Sequence, residues 1–191
     1  MPINRFGGRF MAKPKVATVW LEGCAGCHMS FLDLDEKLLD IFSAVDFTIS
    51  PITDIKDYQC GAVTVGIIEG GIGNQEQVEI ARHLRKHCSI LMAWGDCAVF
   101  GGINTLRNSI PTQDLLRYAF METASTPSGV MPIHEELPLL LDQVVPVNRL
   151  VTVDVFVPGC PPSPESIAYC LTEILKGRMP VVLPSNLMHF D

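Results

Sequence analysis

Short apolar runs that stop at glycine alternate along this chain with longer segments whose apolar residues recur at helical spacing. Residues 16–21 are rich in β-branched side chains and end at Glu22-Gly23, which predicts a buried strand. Over 30–42, Phe31, Leu34, Leu38, Leu39 and Phe42 share one helical face, and Asp33, Asp35 and Glu36 occupy the first turns, so one helix is expected. Further strands are predicted at 45–49, 62–68 and 89–94, with a helix over 74–87 that starts at an Asn cap. Gly101 and Gly102 precede a segment, 103–120, with another helix from Thr112 behind Pro111. Residues 125–148 carry prolines 127, 132, 138 and 146 and resist a long regular element. A loop of that length tends to be functional or to cover a partner. The last clear strand is 150–157, and the last helix is 163–175, with Pro164 at its start and Gly177 past its end. Such alternation argues for an α/β fold, a mostly parallel sheet covered by helices.

Length and charge narrow the partners. At 191 residues the chain fits one domain with its own core, read as an N-terminal extension over 1–15, a domain over 16–178 and a C-terminal tail over 179–191. A net charge of -7 with scattered Lys and Arg offers no surface for a phosphate backbone, so nucleic acid is not an expected partner. Apolar residues make up 48% of the chain, yet no run approaches the roughly 18 needed for a membrane span. The apolar surplus is better placed at a protein interface. The first ten residues contain no long apolar stretch and no adjacent arginine pair, so no export signal is read and a cytoplasmic location is expected.

Seven cysteines make an odd number for a disulfide framework, and four of them share a context. Cys24 and Cys27 follow the first strand in Glu22-Gly-Cys-Ala-Gly-Cys27, Cys97 follows another in Trp94-Gly-Asp-Cys97, and Cys160 follows the last in Val157-Pro-Gly-Cys160-Pro-Pro. A glycine just before Cys24, Cys27 and Cys160, and Gly95 two residues before Cys97, let the backbone turn sharply and approach an inorganic core. Open parallel sheets bind ligands at the carboxyl ends of their strands, and helix N-termini there favour ionised sulfur. Four thiolates suit an iron–sulfur cluster or structural zinc, while Cys24 and Cys27 alone would suit a thiol–disulfide motif. Cys60, Cys88 and Cys170 lack the glycine context and read as buried, inert thiols.

Four segments taken in order carry a resemblance: Glu22 to Asp33, Ile68-Glu69-Gly-Gly-Ile72, Gly95-Asp-Cys97-Ala-Val-Phe-Gly-Gly102 and Pro158-Gly-Cys160-Pro-Pro162. Together they resemble the small subunit of [NiFe] hydrogenases, nearest the short cytoplasmic type of NAD-reducing, bidirectional enzymes. The resemblance implies a flavodoxin-like domain in which Cys24, Cys27, Cys97 and Cys160 bind one [4Fe-4S] cluster. It places the Ni-Fe centre in a hydrogenase large subunit, and FMN, NAD(H) and further clusters in diaphorase subunits. The quinone-proximal subunit of complex I shares the domain, but its first motif has adjacent cysteines, where Ala25-Gly26 intervene here. A complex I-like module and a non-catalytic metal scaffold remain the other readings.

No catalytic residue is expected in this chain, with Glu22 a candidate proton relay or, alternatively, a strand-end salt-bridge partner. Glu69 either lines the cluster loop or subunit interface or belongs to a turn. His28 is a helix N-terminal residue, a donor behind the ligands or an unusual ligand. Asp96 is expected to support its loop and Trp94 to fill the core, while Arg82, His83, Arg85 and Lys86 read as a solvated helix face. The glycine pairs form neither a dinucleotide fingerprint nor a P-loop, so no NAD site is inferred here. A flavin is disfavoured because the cysteine motif takes the phosphate-loop position.

Overall fold

The apolar runs assemble into five parallel strands in the computed structural model, which describes residues 13–55, 61–180, 184 and 187. These strands are β1 (Lys15–Trp20), β2 (Asp46–Ile49), β3 (Val63–Glu69), β5 (Cys88–Trp94) and β7 (Val155–Val157), ordered β2-β1-β3-β5-β7 across the sheet. That order is the flavodoxin-type doubly wound arrangement. Successive residues of a strand point to opposite faces, so Val16 and Ala17, Ile67 and Ile68, and Leu91 and Met92 divide between two cores. One core holds Phe31, Leu34, Leu38, Met92, Trp94, Ile167 and Leu171, from α1 (Gly26–Leu32), α2 (Lys37–Ala44), the turn between them, α6 (Pro164–Leu175) and the strands beneath them. The other holds Ile68, Ile72, Ala81, Leu84, Leu91 and Ala98, with α3 (Gln75–His87) and α4 (Gly95–Phe100) packed there. Both faces being covered explains why the strands read as continuous apolar runs rather than alternating ones.

Caps place two helices where the sequence indicated. The Asn74 side chain accepts from Gln77 N–H at 2.8 Å, and the Gln77 side chain accepts from Asn74 N–H at 3.2 Å, closing a capping box on α3. Ser163 caps α6 by accepting from Ser166 N–H at 3.2 Å, with Pro164 in the first turn.

Three features differ from expectation. The single helix over 30–42 is two, α1 and α2, with Asp35 in the left-handed region at φ 50 between them; Leu39 is 70% exposed. A second, two-stranded antiparallel sheet joins β4 (Ile72–Asn74) to β6 (Leu140–Val145), inside the proline-bearing segment. The last strand, β7, begins only at Val155 and follows a short 3-10 helix at Val147–Arg149. Another 3-10 helix spans Gly102–Ser109, and α5 (Thr112–Arg117) starts at the expected threonine. Residues 1–12 of the N-terminal extension, Cys60 and most of the C-terminal tail lie outside the described residues. Among the described residues, no helix is long and apolar enough to cross a membrane.

Candidate metal centre

Three of the five parallel strands deliver cysteines at one edge. Cys24 and Cys27 follow β1, with Cys27 in the first turn of α1; Cys97 lies in α4, which begins directly after β5; Cys160 follows β7 and precedes α6. Between β1 and β5 lies β3, whose last residue is Glu69. The edge is thus lined by three cysteine-bearing turns and one carboxylate.

The four sulfurs lie in one electrostatic neighbourhood. Burial raises the Cys27 thiol far above its ordinary pKa, and Glu69, Cys24 and Cys97 raise it further. Burial also raises the Cys97 thiol, with Cys160 and Cys24 adding to the effect. Thiolates brought together this way repel one another, so a strongly cationic core is needed to hold all four ionised. Cys27 is buried, Cys97 is half-buried, and Cys24 and Cys160 are exposed, so the sulfurs run from the interior to the surface.

Glycine makes that approach possible at two positions. A Cβ on Gly95, which has φ 80, would stand 2.3 Å from Cys27 Sγ, and one on Gly102, with φ 56, would stand 2.7 Å from Cys97 Sγ. Both distances are shorter than any real contact, so any other residue would displace a sulfur. These backbone hollows and the all-thiol donor set fit an inorganic cluster.

Hydrogen bonds tie the cysteine turns together. Asp96 N–H donates to Gly159 O at 2.9 Å, and Gly159 N–H donates back to the Asp96 carboxylate at 2.8 Å, joining the Cys97 and Cys160 turns. Ser30 Oγ donates to Pro162 O at 2.6 Å, joining α1 to the Cys160 turn. Leu21 N–H donates to Glu69 O at 2.7 Å, and Glu22 and Gly71 exchange backbone hydrogen bonds at 3.0 and 2.8 Å.

Glu69 is more deeply involved than its position in the sequence indicated. Only 2% exposed, it accepts from Cys27 N–H at 3.1 Å and His28 N–H at 3.0 Å, and it pairs with His28 Nδ1. Burial alone would raise its carboxyl, but the hydrogen bonds from the His28 ring and the Cys27 amide outweigh that and hold it below the ordinary value. His28 is wholly buried between Trp20 and Trp94, with ring centroids 5.5 and 5.6 Å away, so its Nδ1 is engaged behind the cysteines. Trp94 is a core residue, as expected.

Glu22 sits at the rim, 3.5 Å from Arg107 Nε. Arg107 also donates to Gly73 O at 2.9 Å and Leu141 O at 3.0 Å, while Asn104 Nδ2 donates to Glu22 O at 2.6 Å. Glu22 thus makes a strand-end ion pair with Arg107. Arg82, His83 and Lys86 are exposed, but Arg85 departs from the solvated-face expectation, reaching Asp154 at 2.5 Å and Cys88 O at 2.7 Å. Cys88 and Cys170 are buried in the two apolar cores. Among the described residues, no group of three or more His, Cys, Asp or Glu is set to hold a single metal ion.

Comparison with known proteins places this geometry. The family model for NADH ubiquinone oxidoreductase, 20 Kd subunit, matches residues 24–174. The NAD-reducing hydrogenase HoxS subunit delta of Cupriavidus necator is 39% identical over 94% of this chain and 86% of its own length. An F420-non-reducing hydrogenase subunit of Methanothermobacter marburgensis is 40% identical over 91% of this chain, which spans 57% of that protein. A crystal structure of an NAD+-reducing [NiFe]-hydrogenase in the H2-reduced state contains a chain that superposes with a TM-score of 0.88. That chain is 42% identical, with 94% of this chain and 99% of the other covered.

Proposed function

The chain belongs to the NADH ubiquinone oxidoreductase, 20 Kd subunit family and is a homologue of hydrogenase small subunits; from this we propose that it carries electrons through one [4Fe-4S] cluster held by Cys24, Cys27, Cys97 and Cys160. The observation that carries the reading is that these four cysteines come from three strand ends at one sheet edge, with Cys27 and Cys97 Sγ seated against glycine hollows. Zinc would also accept four thiolates, but it has no redox chemistry. The relatives are subunits of hydrogenases, which favours a centre that can carry electrons.

Such a cluster supplies one-electron redox chemistry at a potential set by its ligation, by hydrogen bonds to sulfur and by burial. Electrons pass between the Ni-Fe centre of a hydrogenase large subunit and diaphorase subunits that hold FMN and the NAD(H) site. The NAD-reducing relative and the matched NAD+-reducing structure support this assignment of partners. The large subunit docks where Cys24 and Cys160 are exposed and where Phe100, Ile103 and Leu106, following Cys97, are each at least 67% exposed. Glu22, on the same rim, serves as a proton relay whose carboxylate is oriented by Arg107. The complex is cytoplasmic.

Co-purification with the neighbouring subunits, followed by iron and sulfide analysis and a reduced-state paramagnetic spectrum, tests the proposal. About four irons and four sulfides for this chain are expected. Iron-free protein with stoichiometric zinc would overturn the cluster. A quinone-linked partner in place of a Ni-Fe subunit would instead favour the complex I-like module that the family name also accommodates.

A further inference from the structure

Helix α1 begins without a cap of its own. Ala25, at the N-cap with φ 65, has no side-chain oxygen with which to receive the leading amides. The three amides that follow it are nevertheless engaged. Gly26 N–H donates to Cys24 Sγ at 3.4 Å. Cys27 N–H and His28 N–H, between them, use the two oxygens of Glu69, a residue 42 and 41 positions away in sequence. The start of the helix that bears Cys27 thus rests on a carboxylate delivered by the next strand in the sheet.

The residue type is informative. Three donors converge on this side chain, the two amides and His28 Nδ1. Ionised Glu presents acceptors only, whereas Gln would turn an NH2 group toward at least one donor. A carboxylate beside thiolates also carries an electrostatic consequence, since one Glu69 oxygen lies 3.1 Å from the Cys27 amide nitrogen. Negative charge at that position opposes the arrival of an electron.

We propose that Glu69 is a positioning residue for the metal centre: it fixes Cys27 through the α1 amides, and its charge holds the reduction potential lower than the cysteine loop alone would. The inference rests on the cluster reading. His28 belongs to the same device: its Nδ1 meets the same carboxylate oxygen, Oε2, as its own amide, which reduces the cost of burying the charge.

The test uses the assembled complex carrying E69Q or E69D, with iron and sulfide content and a potentiometric titration followed by paramagnetic resonance. E69Q, which keeps the length but loses the charge and turns an NH2 toward one donor, is expected to lower cluster content in part and to shift the midpoint of the clusters that do assemble to a less negative potential. E69D, which keeps the charge on a shorter side chain, is expected to leave the midpoint near wild type while lowering cluster content. E69Q with wild-type content and wild-type potential overturns the inference. If E69Q gives no cluster-bearing complex, E69D decides: wild-type content there overturns the positioning role, and reduced content supports it. Wild-type complex lacking iron and sulfide would defeat the underlying cluster reading instead, so the two failures are distinguishable.

Discussion

Cys27 and Cys170 lie in the same apolar core, 7% and 1% exposed, and both thiols have raised pKa values. The causes separate them. Burial alone pushes Cys170 up to about 12, whereas on Cys27 burial is joined by Glu69, Cys24 and Cys97. A thiol surrounded only by hydrocarbon is a packing group. A thiol surrounded by other thiols and a carboxylate sits where ionisation is opposed unless a cation enters, which suits the proposed ligand role. Burial therefore does not distinguish the two roles, while the charged neighbours do.

The sharpest way to break this comparison is to remove one sulfur from each setting. Cys97→Ala is expected to abolish a normal four-iron cluster, because one of its four anchors is gone. Cys170→Ala should leave iron content unchanged and cost about 1–2 kcal/mol by opening a small cavity, lowering the melting temperature by about 2–8 °C. Iron and sulfide analysis beside thermal denaturation reads both. A normal cluster in Cys97→Ala, or iron loss in Cys170→Ala, would erase the distinction.

The next largest effect is expected at Gly95. An added Cβ would lie 2.3 Å from Cys27 Sγ, on a backbone at φ 80 that L side chains rarely adopt. Gly95→Ala should therefore lower cluster content by more than half while leaving the sheet intact, as read by iron analysis and far-UV circular dichroism. Full cluster content would mean that the sulfur moves freely and that the hollow is not part of the site.

These contrasts also show what was legible in the sequence. The four cysteines stood out because each lies where an apolar strand meets glycine, a local signal, and the structure puts each just beyond a strand end. The parallel α/β layout and helices α3 and α6 followed from strand runs and caps that are equally local, while the flavodoxin-like arrangement was implied by the family resemblance. Glu69 ends an apolar run like many turn residues, and its donors lie more than 40 positions away, so only the folded sheet reveals its role. The break between α1 and α2 was hidden because Phe31, Leu34 and Leu38 are buried before, within and after it, satisfying helical periodicity across a non-helical turn. Pairing of β4 with β6 joins Ile72 to Val145, a tertiary contact that neither short segment announces by itself.

A smaller effect is expected at the rim. Glu22 is part-exposed and held by Arg107, so Glu22→Gln should leave cluster content intact and slow hydrogen turnover several-fold if its carboxylate passes protons. Comparing turnover with iron content separates the relay from a purely structural ion pair, since unchanged turnover removes Glu22 from the proton path.

The smallest effect tests the opposite edge of the sheet, where charge serves folding alone. Asp154 stands just before β7, accepts from Leu91 N–H at 2.7 Å and pairs with Arg85. Burial would raise its carboxyl, but the Leu91 amide and the Arg85 guanidinium outweigh burial and hold it below the ordinary value. The folded chain therefore binds this proton less readily than the unfolded chain does. The resulting stabilisation is fully present above the unfolded-state pKa of about 3.9 and is lost as pH falls through the lower folded value. Asp154→Asn should cost roughly 1–2 kcal/mol at neutral pH. The difference from wild type should narrow below about pH 4, with cluster content unchanged. Denaturant titrations at pH 7 and in acid check the sign, and a gap that widened in acid would mean that the carboxylate is not stabilised in its charged form. Iron loss at neutral pH would be the more consequential result, because it would show that the amino edge of the sheet helps set the metal centre at the other.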